Sequence, residues 1–269
     1  MINEQINIEV KTSGWDENQT ATLTTFIHTT KLWTNKTTRP AIVICPGGGY
    51  HFCAPWEGET IALRFFADGY NTFVLNYSIA PARFPQAVCE LAEAVRLVRS
   101  RAEEWAIDPD KIAVCGFSAG GHLAGSLGIF YDKPEVLDNL KCTEEECKPN
   151  GSILCYPVIT SGEKAHRGSF NNLLGEDATA DMLERVSLEK QVSETTPPAF
   201  IWHTYEDDAV PVENSIYMFS ALREKGINAE LHIFPHGGHG LCLGDGVNGP
   251  RNDEVDVWPS LASRWMSKL

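Results

Sequence analysis

Lys111-Ile112-Ala113-Val114-Cys115-Gly116-Phe117-Ser118-Ala119-Gly120-Gly121-His122-Leu123-Ala124-Gly125 is the stretch from which the rest of the chain is read. Its first half is a short apolar run, the pattern of a strand covered on both faces. Its second half, rich in small residues, predicts a helix reaching about Tyr131. Between them stands Gly116-x-Ser118-x-Gly120, the G-x-S-x-G arrangement in its strand–turn–helix setting. A serine on so sharp a turn needs glycine on both sides, because side chains at 116 and 120 would strike the neighbouring strand and helix. Gly121 and Gly125 let the helix lie close to the sheet. Ser118 then sits at a helix N-terminus, where the positive end of the dipole favours developing negative charge. It is the candidate nucleophile.

Working outward, short apolar runs alternate with longer amphipathic stretches. Strands are expected at 22–28, 41–45, 72–76, 112–115, 152–156, 199–203 and 230–234, with the threonine-rich first one at an edge. That alternation predicts an α/β fold, a mostly parallel central sheet with helices on both faces. A helix is expected from 86 to 105, where Val88, Leu91, Val95, Val98, Ala102 and Trp105 form one apolar stripe. Glu90, Glu93, Arg96, Arg99 and Glu103 read as its solvated face, and Asp108-Pro109-Asp110 as the turn into the next strand. Further helices are expected at 213–225 and 257–268. Residues 160–198 form a polar, weakly helical insertion before the acid-bearing strand, either a small lid or a surface excursion. With 269 residues and 43% hydrophobic content, the whole span 1–269 reads as one domain.

Charge narrows the partners. Against 22 basic residues stand 36 acidic ones, a formal net of −14, which repels nucleic acid and anionic membranes. A neutral small molecule suits this chain better. The opening Met1-Ile2-Asn3-Glu4-Gln5-Ile6 shows no basic region followed by an apolar stretch, so no secretory signal is expected, and no apolar run approaches the roughly 20 residues of a membrane span. A cytoplasmic location is expected. The eight cysteines are scattered, which favours free thiols over a disulfide framework. Cys142 and Cys147 flank an acidic patch without a second Cys/His pair, so no metal site and no cofactor are expected.

A serine hydroxyl needs a base, and the base an orienting acid. After the strand at 199–203 come Glu206, Asp207 and Asp208, which spacing alone does not separate. After the strand at 230–234 comes Pro235-His236-Gly237-Gly238-His239-Gly240. His239, between glycines, is the favoured base. His236 is the alternative, and it lies closer to the strand end. His122, four residues past the nucleophile, reads as structural, and His51, His203 and His232 suit packing or surface roles. The third element is Pro46-Gly47-Gly48-Gly49-Tyr50 after an early strand, a run of unshielded N–H groups able to face an acyl oxyanion. No G-K-[ST] follows it, and it lacks the G-x-G-x-x-G spacing of a phosphate loop.

These residues together resemble the α/β-hydrolase esterases known as acetylesterases, acetylxylan esterases and lipase-like enzymes. The likeness is strongest to a bacterial group with a P-G-G-G-Y loop followed by an E-G pair, here Glu57-Gly58. It runs through Leu75-Asn76-Tyr77, Ala80-Pro81, Ile107-Asp108-Pro109-Asp110 and Gly116-Phe117-Ser118-Ala119-Gly120-Gly121-His122. It continues in Tyr156-Pro157-Val158, Pro197-Pro198-Ala199, Val210-Pro211-Val212 and Phe234-Pro235-His236-Gly237-Gly238-His239-Gly240, so that it covers about residues 40–243. The resemblance implies Asp207, in D-x-x-V-P, as the acid and His239 as the base. It also implies the N–H groups of Gly48, Gly49 and Ala119 as oxyanion donors. Where relatives often carry a tyrosine–arginine pair, Ser78 follows Tyr77 here. The implied reaction is hydrolysis of short acyl esters, such as acetyl groups on xylo-oligosaccharides. Tyr50 and Trp56 are expected to contact substrate, with core packing the alternative for Trp56. The same triad would serve an arylformamidase or a peptidase. A non-catalytic binding protein on this scaffold is the reading from another class, and oligomeric state is not legible.

Overall fold

The computed structural model describes residues 1–30, 37–247 and 251–269. Among these, the strands are β1 (Gln5–Ile8), β2 (Ala21–Phe26), β3 (Arg39–Cys45), β4 (Asn71–Asn76), β5 (Ile107–Phe117), β6 (Gly151–Cys155), β7 (Ala199–Thr204) and β8 (Ala229–Phe234). They form one sheet in the order β1-β2-β4-β3-β5-β6-β7-β8. Pairing is parallel from β4 through β8 and antiparallel only at β1–β2 and β2–β4. The helices are α1 (Glu59–Ala67), α2 (Gln86–Ser100), α3 (Ala119–Phe130), α4 (Pro134–Leu140), α5 (Glu144–Cys147), α6 (Arg167–Leu174), α7 (Ala180–Arg185), α8 (Glu213–Glu224) and α9 (Trp258–Met266). None of them is long and apolar enough to cross a membrane.

The period of two along each strand divides the apolar residues between two cores. Val43, Leu75, Val114, Leu154 and Ile201 face α2, α3 and α8. Their sequence neighbours Ile42, Ile44, Val74, Ala113, Ile153 and Phe200 face α1 and α9, where Phe65, Trp258 and Trp265 fill the layer. Continuous apolar runs are therefore the right signature for the strands from β3 to β7. Both of their faces are dry.

Several expectations are corrected. The strand at 22–28 is not an edge: β1 covers it, pairing Gln5 with Thr24 and Ile8 with Ala21. Four residues of Gln-Ile-Asn-Ile carry too short a pattern to announce themselves. The helix expected to reach 105 ends at Ser100; turns follow, and Ala106, at a φ of 50°, redirects the chain. Trp105 remains buried even so. Asp108-Pro109-Asp110 lies inside β5 rather than before it, where the register against β3 shifts between Arg39 and Ala41.

Glu90 is not on a solvated face. It is 1% exposed, and it accepts from the Ser78 N–H (2.7 Å), the Ser78 hydroxyl (2.5 Å) and the Gln86 amide (2.8 Å). Arg99 likewise donates to the carbonyls of Glu146 and Lys148 and to Asn150, tying α2 to the chain beyond α5. Ser78, the residue after Tyr77, is thus a partner of a buried carboxylate.

The insertion at 160–198 contains α6, α7 and a short 3-10 turn at Leu188–Lys190. Phe170, Leu173, Leu174, Val186 and Leu188 are buried in the larger core. Its polar surface residues hide this anchoring from a pattern reading.

Candidate active site

Strand β5 delivers Ser118 to the edge of the sheet from which α3 departs. Ser118 holds φ 53° and ψ −118°, a strained conformation for a residue with a side chain. The flanking glycines explain how this is reached. A Cβ at 116 would lie 1.9 Å from the Gly120 carbonyl oxygen, and one at 120 would lie 2.2 Å from that of Cys45. The turn closes only with hydrogen at both positions.

His239 reaches Ser118 from the loop after β8, its Nε2 2.8 Å from the serine Oγ. On the other side its Nδ1 lies 2.7 Å from Asp207 Oδ2. Asp207 stands on the loop after β7, its side chain fully buried. The remaining carboxylate oxygen accepts the N–H groups of Ala209 (3.1 Å) and Val210 (2.9 Å). His203 contributes a further donor: its Nε2 faces Asp207 Oδ2 at 3.1 Å and the Val210 carbonyl at 2.9 Å. With two acceptors on that side, Nε2 carries the proton, and Nδ1 accepts from the Ser215 hydroxyl at 2.8 Å. Burial pushes the Asp207 carboxyl upward, but the hydrogen bonds from His203 and His239, the His239 charge and the Val210 N–H outweigh it. They hold the group well below the usual carboxylate range. Asp207 is ionised and cannot rotate away.

Ser118, His239 and Asp207 are thus brought together. Glu206 and Asp208 are exposed, and Glu206 accepts the Gly237 N–H from the histidine loop. His236 points outward to Glu254, its side chain 67% exposed. His122 is enclosed, accepting from the Tyr50 hydroxyl at Nδ1 (2.9 Å) and donating from Nε2 to the Val186 carbonyl (2.8 Å). Burial lowers its pKa to about 4, so the ring is neutral.

The glycine loop lies beside Ser118. Gly48 and Gly49 adopt φ values of 121° and 64°, turning successive peptides so that their N–H groups are not consumed by the sheet. Among the described residues no hydrogen bond occupies those two N–H groups. Ala119 opens α3, where an N–H has no partner within the helix. The loop is braced from outside by the Tyr77 hydroxyl donating to the Pro46 carbonyl (2.7 Å) and by the Asn172 amide of α6 donating to the Gly49 carbonyl (2.9 Å). The insertion therefore packs directly on the glycine loop.

The two expected substrate contacts divide. Tyr50 is 3% exposed, its ring edge-on to Tyr77 and to His122, so it belongs to the core and offers no stacking face. Trp56 is the reverse, 43% exposed and tilted against Phe52, which is 44% exposed. Core packing does not describe it. The reading missed Glu57, Tyr156 and His203, all buried beside the site. Glu57 and Tyr156 stood in motifs of the family resemblance without a role attached, and His203 left its own signal, an imidazole four residues before an acid at a strand end.

The model of the BD-FAE family matches residues 27–222. The chain belongs to the BD-FAE family. Its eight-stranded, mostly parallel sheet with helices on both faces is that of the α/β-hydrolases. Endo-1,4-beta-xylanase B of Butyrivibrio fibrisolvens is 43% identical over 210 residues, 76% of this chain and 33% of that protein. The acetylxylan esterase of Xylanibacter ruminicola is 35% identical over 210 residues, 76% of this chain and 41% of that protein. The chain thus spans less than half the length of these two curated relatives. Among solved structures, an acetyl ester-xyloside bifunctional hydrolase from Caldicellulosiruptor lactoaceticus superposes with a TM-score of 0.84 at 36% identity, covering 98% of this chain and 96% of that one. The BD-FAE match stops before β8, so the loop carrying His239 lies beyond it, and the structure itself places that residue.

Proposed function

We propose that this chain is a serine carboxylic ester hydrolase that removes short acyl groups, acetyl above all, from xylose-containing oligosaccharides. The observation that carries the reading is the unbroken line from Ser118 through His239 to a buried, ionised Asp207, beside amides left free by the glycine loop. The names of the relatives supply the substrate class.

In this reaction His239 takes the Ser118 proton at Nε2 as the serine oxygen attacks the ester carbonyl. Asp207 holds the Nδ1–H tautomer and stabilises the imidazolium. The N–H groups of Gly48, Gly49 and Ala119 receive the oxyanion, each donor being worth on the order of 10²–10³ in rate. Collapse expels the sugar alcohol, which takes its proton from His239. Water then attacks the acyl-serine by the same path and releases the carboxylate. Phe52 and Trp56, exposed at the rim of the glycine loop, present aromatic faces to the sugar.

The test is Ser118→Ala assayed on acetylated xylo-oligosaccharide, p-nitrophenyl acetate and formylkynurenine. Loss of about 10⁴-fold or more on the acetyl esters, with fluorophosphonate labelling abolished, is expected. Faster parent turnover of the formamide than of either ester would replace this reading with amide hydrolysis.

A further inference from the structure

Glu57 is a buried carboxylate that the reaction as written does not use. It is 3% exposed, and among the described residues no cation pairs with it. Its two oxygens take different donors: Oε2 accepts the Gly47 N–H at 2.8 Å and Oε1 accepts the Tyr156 hydroxyl at 2.6 Å. The phenol oxygen of Tyr156 in turn accepts the Cys242 N–H at 3.1 Å. A protonated Glu57 would need an acceptor, and both of its partners already donate to it. With both oxygens accepting, this bonding pattern favours the ionised form against the burial that disfavours it.

Both partners lead to the reaction centre. Gly47 is wedged between the carboxylate and the nucleophile: a Cβ there would stand 2.6 Å from Glu57 Oε2 and 3.1 Å from the Ser118 Cβ. Gly48 and Gly49 follow it directly, so Glu57 anchors the start of the loop that presents their amides. On the other side the Tyr156 ring packs edge-on against the His239 imidazole, with centroids 5.0 Å apart. Cys242 lies three residues beyond His239, so the chain of bonds also fixes the end of the histidine loop.

We propose that Glu57 is a positioning residue, a second acid of the site. It sets the oxyanion loop through Gly47 and, through Tyr156, both aligns His239 and favours its charged form as Ser118 attacks. The inference rests on the serine-esterase reading above. Burial raises the pKa of Glu57, while hydrogen bonds from Tyr156 and Gly47 and the charge on His239 oppose the rise, so the carboxylate and the imidazolium stabilise each other. The other titratable groups facing Glu57 are Tyr156 and Cys155 at the end of β6, Tyr77 after β4 and Cys242 after β8. Those facing His239 are Asp207, Ser118, Tyr156 and His166 of the insertion. None of them supplies a second fixed anion apart from Asp207.

The test compares Glu57→Gln, which keeps the shape and removes the charge, with Glu57→Asp, which keeps the charge and withdraws it by one methylene. On p-nitrophenyl acetate, Glu57→Gln is expected to lose about tenfold or more in kcat. Its acid limb in the kcat/KM profile should move to lower pH by about half a unit or more, because removing a nearby anion disfavours the imidazolium. Glu57→Asp should lose rate with its acid limb where the parent has it. Melting temperature and fluorophosphonate labelling separate lost rate from lost fold. Should Glu57→Gln not fold, Tyr156→Phe carries the test: it breaks the link yet keeps the ring against His239, and the limb should move in the same direction. A Glu57→Gln enzyme as fast as the parent, or slower with an unmoved limb, would overturn the proposal. So would Tyr156→Phe with unchanged rate and profile. Activity surviving in Ser118→Ala would instead sink the esterase reading, whatever Glu57 does.

Discussion

Asp207 and Asp208 are neighbours in the chain and opposites in circumstance. The first is enclosed by four donors, from His203, His239, Ala209 and Val210; the second faces water. Asp207→Asn would leave the geometry near its present form but would offer an amide where His239 needs an acceptor. We expect kcat to fall by about 10³–10⁴ in that variant. Asp208→Asn should stay within about twofold, as surface substitutions do. Steady-state kinetics on one ester checks both, and comparable losses would reject Asp207 as the acid. At this scale the motif was legible only in part. Spacing left three acids open; the family resemblance pointed to Asp207, and the fold supplies the physical reason, since it is this carboxylate that the loop after β7 turns inward.

At the scale of elements, the turn from β5 into α3 is the most demanding piece of backbone in the molecule. Its demands are local, which is why it could be read from a pentapeptide. Gly120→Ala would drive a methyl group into the Cys45 and Pro46 carbonyls, 2.2 and 2.4 Å away, atoms that cannot step aside without moving β3. A destabilisation of about 3 kcal/mol or more is expected from such overpacking. Urea unfolding would show it as a lower midpoint, and an unshifted midpoint would mean the elbow is looser than described. Strand β1 and helix α1 escaped the reading for a different reason. Both are short, and their stability comes from the neighbours they cover rather than from their own periodicity.

Across the whole molecule, the insertion, the glycine loop and α3 meet at one neutral imidazole. His122 joins Tyr50 of the loop to Val186 of the insertion. Its pKa is lowered from 6.5 to about 4 by burial, with the Val186 hydrogen bond opposing. Between those values the unfolded chain binds a proton that the folded one refuses, so His122 makes stability fall as pH drops from 6.5 towards 4. His28 and His166, also lowered by burial, act in the same direction, whereas the raised carboxyls of Glu57 and Glu90 act in the opposite one. His122→Phe isolates its share. The variant should lose about 1–3 kcal/mol at pH 8, because Tyr50 and Val186 lose their partner. It should also show a flatter decline of melting temperature between pH 6.5 and 5 than the parent. Equal slopes would mean the ring is protonated in place or exposed by local opening.

What the amino-acid order determined unaided was whatever is enforced over a few residues. The apolar runs of the parallel strands, the glycines around Ser118 and the sequence of nucleophile, acid and histidine loops all belong there, since steric limits and hydrophobic period act locally. Tertiary structure alone decided the fate of the buried polar groups. Glu90 read as part of a solvated helix face and Glu57 only as half of a motif pair; each is interior because donors arrive from elsewhere, Tyr156 from 99 residues away and Ser78 from 12. A carboxylate can leave water only where such donors converge, and convergence is a property of the folded sheet rather than of any segment. Tyr50 and Trp56, both expected at the substrate, part on the same ground: they stand six positions apart, yet one is turned into the core and the other out to the rim.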